Sequence, residues 1–490
     1  MRTLSTALFL ALLITLVAGS GAAETPTESL AQDAGVRQSL ALLETWVEAE
    51  RAYKDLPGVT MAVVVGEEVL WQRAFGHAHR EAAIAAETST LYSICSISKL
   101  FTSIGVMQLR DAGKLRLDEP IRTYLPWYDL PQAYGDSGPV TLEGILTHSS
   151  GLPREAVQAY WTGPDFPFPA RDAIIEGLDG QETLYPARRY FQYSNLGLTL
   201  AGEVIRAVDG RAFEDYVEQE ILEPLGLRHT TTRLPEAQRG ARFATGYGRA
   251  PRTGEREEMP FFQTRGIAPA AGFASSAEDL ARFAAWQLRL LSSGGTEVLA
   301  ANTLREMHRV HWMDPSWKTS WGLGFSVTRV KERTYVGHGG RCPGFSTDLM
   351  IDPERRLAVV VMVNASSANT GAIARVAQAV VGSAVEKARA GTSVKAPAFD
   401  PNPYLGVYSS SWSELAVVTW GDHLATVPLP STDPVGALVE LRHEDGDTFR
   451  HVRKDGEDLG EAVLFEREGE RVVRLRRHGN AMTRTSGLIP

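Results

Sequence analysis

Three short patterns in this chain have the residue types and spacing for nucleophilic chemistry. They are Ser96-Ile97-Ser98-Lys99, Tyr193-Ser194-Asn195 and His338-Gly339-Gly340. Ser96 and Lys99 stand three apart, so on a helix they share a face. A serine hydroxyl is a weak nucleophile until a neighbour takes its proton. A lysine can do so only where burial or nearby charge lowers its pKa, or where the proton is relayed. Tyr193 supplies a relay: a phenolate beside an ammonium accepts the proton and later returns it to the leaving group. Asn195 can donate to a substrate carbonyl and hold Lys99. Gly339 and Gly340 let a substrate backbone approach a sheet edge, along which a peptide could pair. His338 adds a donor or a cation, depending on pH. Taken singly, each pattern has a plain alternative: a solvated helical Ser and Lys, a capping Ser or Asn with a core Tyr, a tight turn with a surface His. Together, in this order, they point to a serine nucleophile without a Ser-His-Asp triad.

These residues need elements to carry them. Val36 to Tyr53 has Leu40, Leu43, Trp46 and Val47 at helical spacing. Two β-like runs follow, Val59 to Val65 and Val69 to Phe75, with Gly66-Glu67-Glu68 as the turn. From Ser96 the pattern is helical and ends at Asp111-Ala112-Gly113. Leu196 to Val208, Phe213 to Ile221 and Ala277 to Leu291 read as helices, the last capped by Ser275 or Ser276. Gly322 to Val330 and Leu357 to Val363 read as strands, and Thr370 to Ala390 as a helix. Early and late strands with a helical insertion predict an α+β fold: an antiparallel sheet flanked by helices, plus a helical subdomain. Three prolines within Lys395 to Pro403 mark a linker. Beyond it, short β runs at regular spacing predict a small all-β barrel or sandwich. The expected organisation is a leader over 1–23, a main domain over 30–390, a linker over 391–403 and a β domain over 404–490. The β domain is expected to fold separately and to cover the cleft or mediate assembly into an oligomer.

Composition limits the function classes. The 490 residues are 43% hydrophobic, enough for a large core. Net charge is −9 with no Lys/Arg stripe, so nucleic acid is not an expected partner. Arg2, the apolar run Leu8 to Val17 and small residues through Ala23 have the layout of a secretory signal. The run is short for a membrane span, so no integral span is expected and the mature protein should be secreted or periplasmic. The chain has no His-Glu-x-x-His, Gly-x-Ser-x-Gly or Gly-Lys-Ser/Thr motif. The aromatic stretch Tyr160 to Phe191 has two readings, a pocket lining or ordinary packing.

On these motifs the chain resembles the serine β-lactamase and penicillin-binding protein superfamily, in its class C and DD-peptidase-like branch. The resemblance runs from about Leu40 to Val385 and includes Ile145 to Leu152, Tyr193 to Gly197, Ala271 to Ser275 and Gly337 to Ser346. It implies that Ser96 is acylated and that Lys99 and Tyr193 share proton transfer. It also implies that Asn195 orients the substrate and that the backbone N–H groups of Ser96 and Arg341 hold the oxyanion. No metal or cofactor is implied, and His148 is structural. The partner is a small-molecule or peptide substrate. One departure matters: potent class C β-lactamases carry Lys-Thr-Gly where this chain has His338-Gly339-Gly340, and Lys318-Thr319-Ser320 is a decoy. Histidine there resembles DD-peptidases, D-aminopeptidases and esterases of the superfamily. A peptidase or esterase is therefore expected ahead of a potent β-lactamase. The alternatives are a true β-lactamase and a slow-turnover penicillin-binding sensor.

The two cysteines, Cys95 and Cys342, adjoin the first and third motifs. If those motifs face each other across a cleft, the cysteines are expected to form a disulfide. A similar bridge occurs in some carbapenem-hydrolysing β-lactamases. Two buried thiols are the alternative.

Overall fold

A computed structural model describes residues 27–485, apart from 157–158, 393, 454 and 456–457. The segment read as a secretory leader, 1–23, lies outside the described residues. The main sheet has nine strands. In chain order these begin with β1 (Gly58–Val65), β2 (Glu68–His79) and β3 (Ile84–Ala85). β4 (Tyr92–Ser93) and β5 (Ala274–Ser275) form a separate pair. β6 (Trp312–Met313), β7 (Ser320–Trp321), β8 (Ser326–Val330), β9 (Arg333–Cys342), β10 (Phe345–Asp352) and β11 (Leu357–Val363) complete the sheet. Its order is β3-β2-β1-β11-β10-β9-β8-β7-β6, and each named pairing is antiparallel. The early strand β1 and the late strand β11 are neighbours, Val59 opposite Val363, so the sheet is closed by elements from both ends of the domain.

β1 and β11 are buried on both faces, which is why they read as near-continuous apolar, valine-rich runs. Ala62, Val64, Ala358, Val360 and Met362 face one core. Val59, Met61, Val63, Val65, Val359 and Val361 face another. The first core is shared with the helices Ser98–Asp111, Asn195–Asp209 and Ala277–Ser293. The second is shared with the helices Ala34–Tyr53 and Thr370–Arg389. Asp33, Ser194, Ser276 and Asn369 cap their helices, each side-chain oxygen accepting a backbone N–H of the first turn.

Past the linker, β12 (Gly406–Ser409), β13 (Glu414–Trp420), β14 (His423–Leu429), β15 (Val439–Asp445), β16 (Thr448–Val452), β17 (Leu459–Glu468), β18 (Arg471–Arg477) and β19 (Asn480–Arg484) form a closed barrel. Pairing of Tyr408 with Arg484 closes it, which leaves no open edge. Leu415, Val417, Phe449 and Phe465 fill its interior. Ala416, Val418, Val427 and Leu429 point outward, yet they too are buried, against the core that contains Trp46. Trp46 Nε1 donates to Ser431 O at 2.7 Å, and Gln38 exchanges two hydrogen bonds with the Gly421 backbone. The barrel therefore docks behind the sheet, on the face opposite the helix that begins at Ser98. Of its two expected roles, covering the cleft or mediating assembly, this position does not serve the first.

Another difference concerns the predicted strand from Gly322 to Val330. Only Ser326–Val330 is strand. Leu323 N–H bonds Met307 O at 3.0 Å and Gly324 N–H bonds Leu146 O at 2.9 Å, so this stretch leaves the ladder to pack on neighbouring helices. Gly324 has φ of 84°, and a Cβ there would lie 2.1 Å from Ser103 Oγ. The segment Phe213 to Ile221 also changes character, from an α-helix over Phe213–Val217 to a π turn over Glu218–Leu222.

Because Trp46 joins the barrel to the rear core, Trp46→Ala is expected to cost about 3–5 kcal/mol of stability. Ser96 should remain reactive in the folded fraction. Chemical denaturation together with covalent labelling measures both.

Candidate active site

Ser96 lies in a single 3₁₀ turn, Cys95–Ile97, which runs straight into the helix Ser98–Asp111. Cys95 has φ of 48°, a left-handed conformation that a non-glycine residue adopts only under external constraint. The constraints are visible. Ser98 Oγ donates to Cys95 O at 2.6 Å and accepts from Phe273 N at 3.1 Å. Ile94 N–H bonds Phe273 O at 2.9 Å. Cys95 is disulfide-bonded to Cys342, with Cα atoms 5.7 Å apart, so the expected bridge is present.

Lys99 is 1% exposed. Its Nζ donates to Ser96 Oγ at 3.0 Å and to Ala270 O at 2.7 Å. Thr102 Oγ1 uses the adjacent carbonyl, Pro269 O, at 2.6 Å. These carbonyls are available because Ala268–Ala271 is a helix of one turn, whose last C=O groups have no intrahelical partner. Burial pulls the Lys99 pKa well below its ordinary value; Glu155 opposes that shift and Arg154 adds to it.

Tyr193 completes the cluster. The Ser96 side chain acts on its phenol, holding the phenol pKa down against burial. Lys99 Nζ lies 4.9 Å from the centre of its ring, and Arg154 Cζ lies 4.8 Å from it. Burial raises the phenol pKa, and Ser96 and Arg154 oppose that rise. The amine, the hydroxyl and the phenol thus form one cluster, with Lys99 bonded to Ser96 and lying over the Tyr193 ring.

His148 holds the second motif in place. Its Nδ1 accepts the Ser194 N–H at 3.1 Å, its carbonyl accepts the Gln192 N–H at 2.8 Å, and its ring centre is 4.2 Å from that of Tyr193. Burial, helped by Lys99, keeps its pKa well below the usual histidine value. A neutral, backbone-bonded imidazole positions Tyr193 without exchanging protons.

Asn195 differs from expectation. Its Nδ2 donates to Glu155 Oε1 at 2.6 Å, and no Lys99–Asn195 hydrogen bond forms among the described residues. Since a carboxylate accepts, the Asn195 carbonyl end faces away from Glu155, buried without a partner.

The third motif belongs to β9. Gly340 passes so close to the nucleophile turn that a Cβ would lie 2.2 Å from Ile94 O. The turn Pro343–Gly344 closes on the pair Cys342 and Phe345. Hydrogen-bonded pairs alternate along an antiparallel ladder, so Gly339 and Arg341 turn their N–H groups away from β10. β8 accompanies β9 only as far as Gly337, so these groups reach an edge not paired with β8. The Arg341 side chain is exposed, and its backbone is the part that faces the cleft. His338 is buried; its Nδ1 donates to Gly339 O at 2.6 Å. Burial, with a smaller contribution from Lys99, lowers its pKa to about 3. Of the two forms open to it, donor or cation, the ring is therefore the neutral donor near neutral pH.

The aromatic stretch divides between both readings. Tyr160, Phe166 and Phe168 pack with Phe262 in the core. Phe191 instead stacks with Trp312 and Trp321, beside His148 and Tyr193. Lys318 of the decoy motif is exposed between β6 and β7. Sequence reasoning missed Arg154, Glu155 and the Ala270 carbonyl. The signal for the first two was a charged pair directly after Ser150-Gly151-Leu152-Pro153.

A family model described as Beta-lactamase matches residues 43–382, more than half of the chain. The chain belongs to the beta-lactamase family. It is 27% identical over 331 residues to penicillin-binding protein 4 of Amycolatopsis lactamdurans, covering 66% of this chain and 84% of that protein. It is 25% identical to a putative D-alanyl-D-alanine carboxypeptidase of Escherichia coli O157:H7, covering 69% and 85%. The octameric penicillin-binding protein homologue of Pyrococcus abyssi shares the fold, with a TM-score of 0.63 and 22% identity over 90% of this chain and 99% of that one. Family membership and these relatives support a serine hydrolase.

Two outcomes are expected. Gly340→Val should displace β9 from the nucleophile turn and reduce acylation at least about a hundredfold, as loss of an oxyanion donor does; stopped-flow labelling measures it. The second concerns stability and pH. The folded pKa of His338 lies below its unfolded value, so between about pH 6.5 and 3 the unfolded chain binds more protons. Stability should then fall as pH drops through that window, by up to about 1.4 kcal/mol per unit for this imidazole. His338→Gln should flatten the decline in denaturation midpoints.

Proposed function

We propose that this protein is an exported serine hydrolase that cleaves amide or ester bonds through an acyl-enzyme on Ser96. The observation that carries the reading is the convergence of three groups: the buried Lys99 amine bonded to Ser96 Oγ at 3.0 Å and lying 4.9 Å from the centre of the Tyr193 ring. Ser96 Oγ attacks the substrate carbonyl while its proton passes to the Lys99–Tyr193 pair, which accepts it in the form that has already lost one proton. The oxyanion is held by the N–H groups of Ser96 and Arg341. As the tetrahedral intermediate collapses, the bond to the leaving group breaks and the pair returns the proton to it. Water then attacks the ester, its proton follows the same path, and Ser96 is regenerated.

Peptidase or esterase activity ranks ahead of potent β-lactamase activity because the third motif offers a neutral imidazole and two glycines where a lysine would supply charge. The relatives named as a penicillin-binding protein and a putative D-alanyl-D-alanine carboxypeptidase favour a peptide substrate. Asn195, His338, Gly339 and Gly340 line the substrate path in this reading. Export accords with the apolar leader and the disulfide. No helix among the described residues is long and apolar enough to cross a membrane. Assembly through the barrel is part of the proposal, by analogy with the octameric homologue.

Ser96→Ala should abolish labelling by a serine-directed acyl probe and nearly all turnover. An acyl adduct on that variant, seen by intact mass, would remove Ser96 from its role. Lys99→Ala and Tyr193→Phe should each slow acylation by about a hundredfold or more. A screen over penicillin-type amides, D-amino-acid peptides and short acyl esters identifies the substrate. A single-equivalent burst without turnover on all of them would favour a sensor.

A further inference from the structure

The tripeptide Pro153-Arg154-Glu155 is bonded to the second motif at every residue. Pro153 O accepts from Ser194 Oγ at 2.6 Å. Arg154 O accepts the N–H groups of Asn195 and Leu196 at 2.7 and 3.2 Å. Glu155 Oε1 accepts from Asn195 Nδ2 at 2.6 Å and lies 3.2 Å from Arg154 Nε. Glu155 Oε2 accepts from the Tyr160 hydroxyl. Backbone bonds alone would suffice to hold a helix start. The two charged side chains do more: Arg154 lies over Tyr193, and Glu155 is held beside Arg154 and Asn195. The Arg154 guanidinium lies over Tyr193, with 59% of its side chain in solvent. A cation over an aromatic face favours negative charge on the phenol oxygen.

We propose that Arg154 and Glu155 are positioning residues for acyl transfer, acting with opposite electrostatic sign on the Lys99–Tyr193 pair. This rests on the reading that Ser96 is acylated. The groups facing Tyr193 are Ser96, Lys99, Arg154, Glu155, His148 and His338. Both histidines are kept neutral by burial, so the charges that can act are Lys99, Arg154 and Glu155. Arg154 lowers the proton affinity of both Lys99 and Tyr193, and Glu155 raises that of both. The pair titrates as a unit, and its deprotonation sets the acid limb of the acylation rate.

The test is the pH profile of single-turnover acylation for wild type, Arg154→Met and Glu155→Gln, with the acyl probe that labels Ser96. Arg154→Met should move the acid limb upward by about one pH unit and slow acylation at neutral pH about tenfold. Glu155→Gln keeps an acceptor for Asn195 Nδ2 but loses the charge, so its limb should move down. Arg154→Gln is a second neutral variant, since the exposed side chain tolerates either replacement without loss of fold. Wild-type limbs in the variants would overturn the proposal, as would a change confined to KM for anionic substrates, which would make Arg154 a substrate-binding group. Failure of the wild type to be acylated is a separate result and would instead overturn the reading of Ser96.

Discussion

The burial of Lys99 is the constraint from which the rest of the site follows. An amine excluded from water must find acceptors, or the structure bears the cost of an unsatisfied polar group. Here it has two, the Ala270 carbonyl and the Ser96 hydroxyl. The first is available only because the helix Ala268–Ala271 stops after one turn. The second is in reach only because Cys95 holds a left-handed backbone angle that starts the helix with Ser96 on the same side as Lys99. One buried side chain thus requires the short helix and the strained turn, and accounts for Ser98 bonding Cys95 to Phe273.

The electrostatic balance around that amine is narrow. The Lys99 amine and the Arg154 guanidinium lie over one tyrosine ring, and Glu155 opposes the effect of Arg154 on both Lys99 and Tyr193. His148 and His338 approach the same space and would add charge if protonated. Burial prevents it, and each ring has a backbone partner, Ser194 N–H for His148 and Gly339 O for His338. The imidazoles therefore work here as rigid, neutral spacers between the second and third motifs.

The two faces of the sheet divide the labour. The front face supports the helices that carry Ser96, Lys99 and Asn195. The rear face buries the helix Ala34–Tyr53 and the apolar outer wall of the barrel in one continuous core. That shared core makes the barrel part of the packing of the whole chain. It also explains why β13 reads as an unbroken apolar run rather than an alternating one: its inner side fills the barrel and its outer side meets Trp46.

Much of this was legible in the residues. Hydrophobic period separated β1 and β11 from the helices, because buried strands and amphipathic helices leave different spacing. Motif order singled out Ser96, Lys99, Tyr193 and the glycine strand, and the fold brings these residues into one cluster. The position of Cys95 and Cys342 beside two motifs anticipated their bond. Tertiary structure decided what depends on neighbours distant in sequence. It turned Asn195 toward Glu155, kept His338 uncharged, recruited a carbonyl from Ala270 and drew Gly322 to Phe325 out of the predicted strand. It also set the barrel behind the sheet. Residue type states what a side chain is able to donate, accept or bury; which partner it meets, and whether water reaches it, is settled only when separate segments pack together.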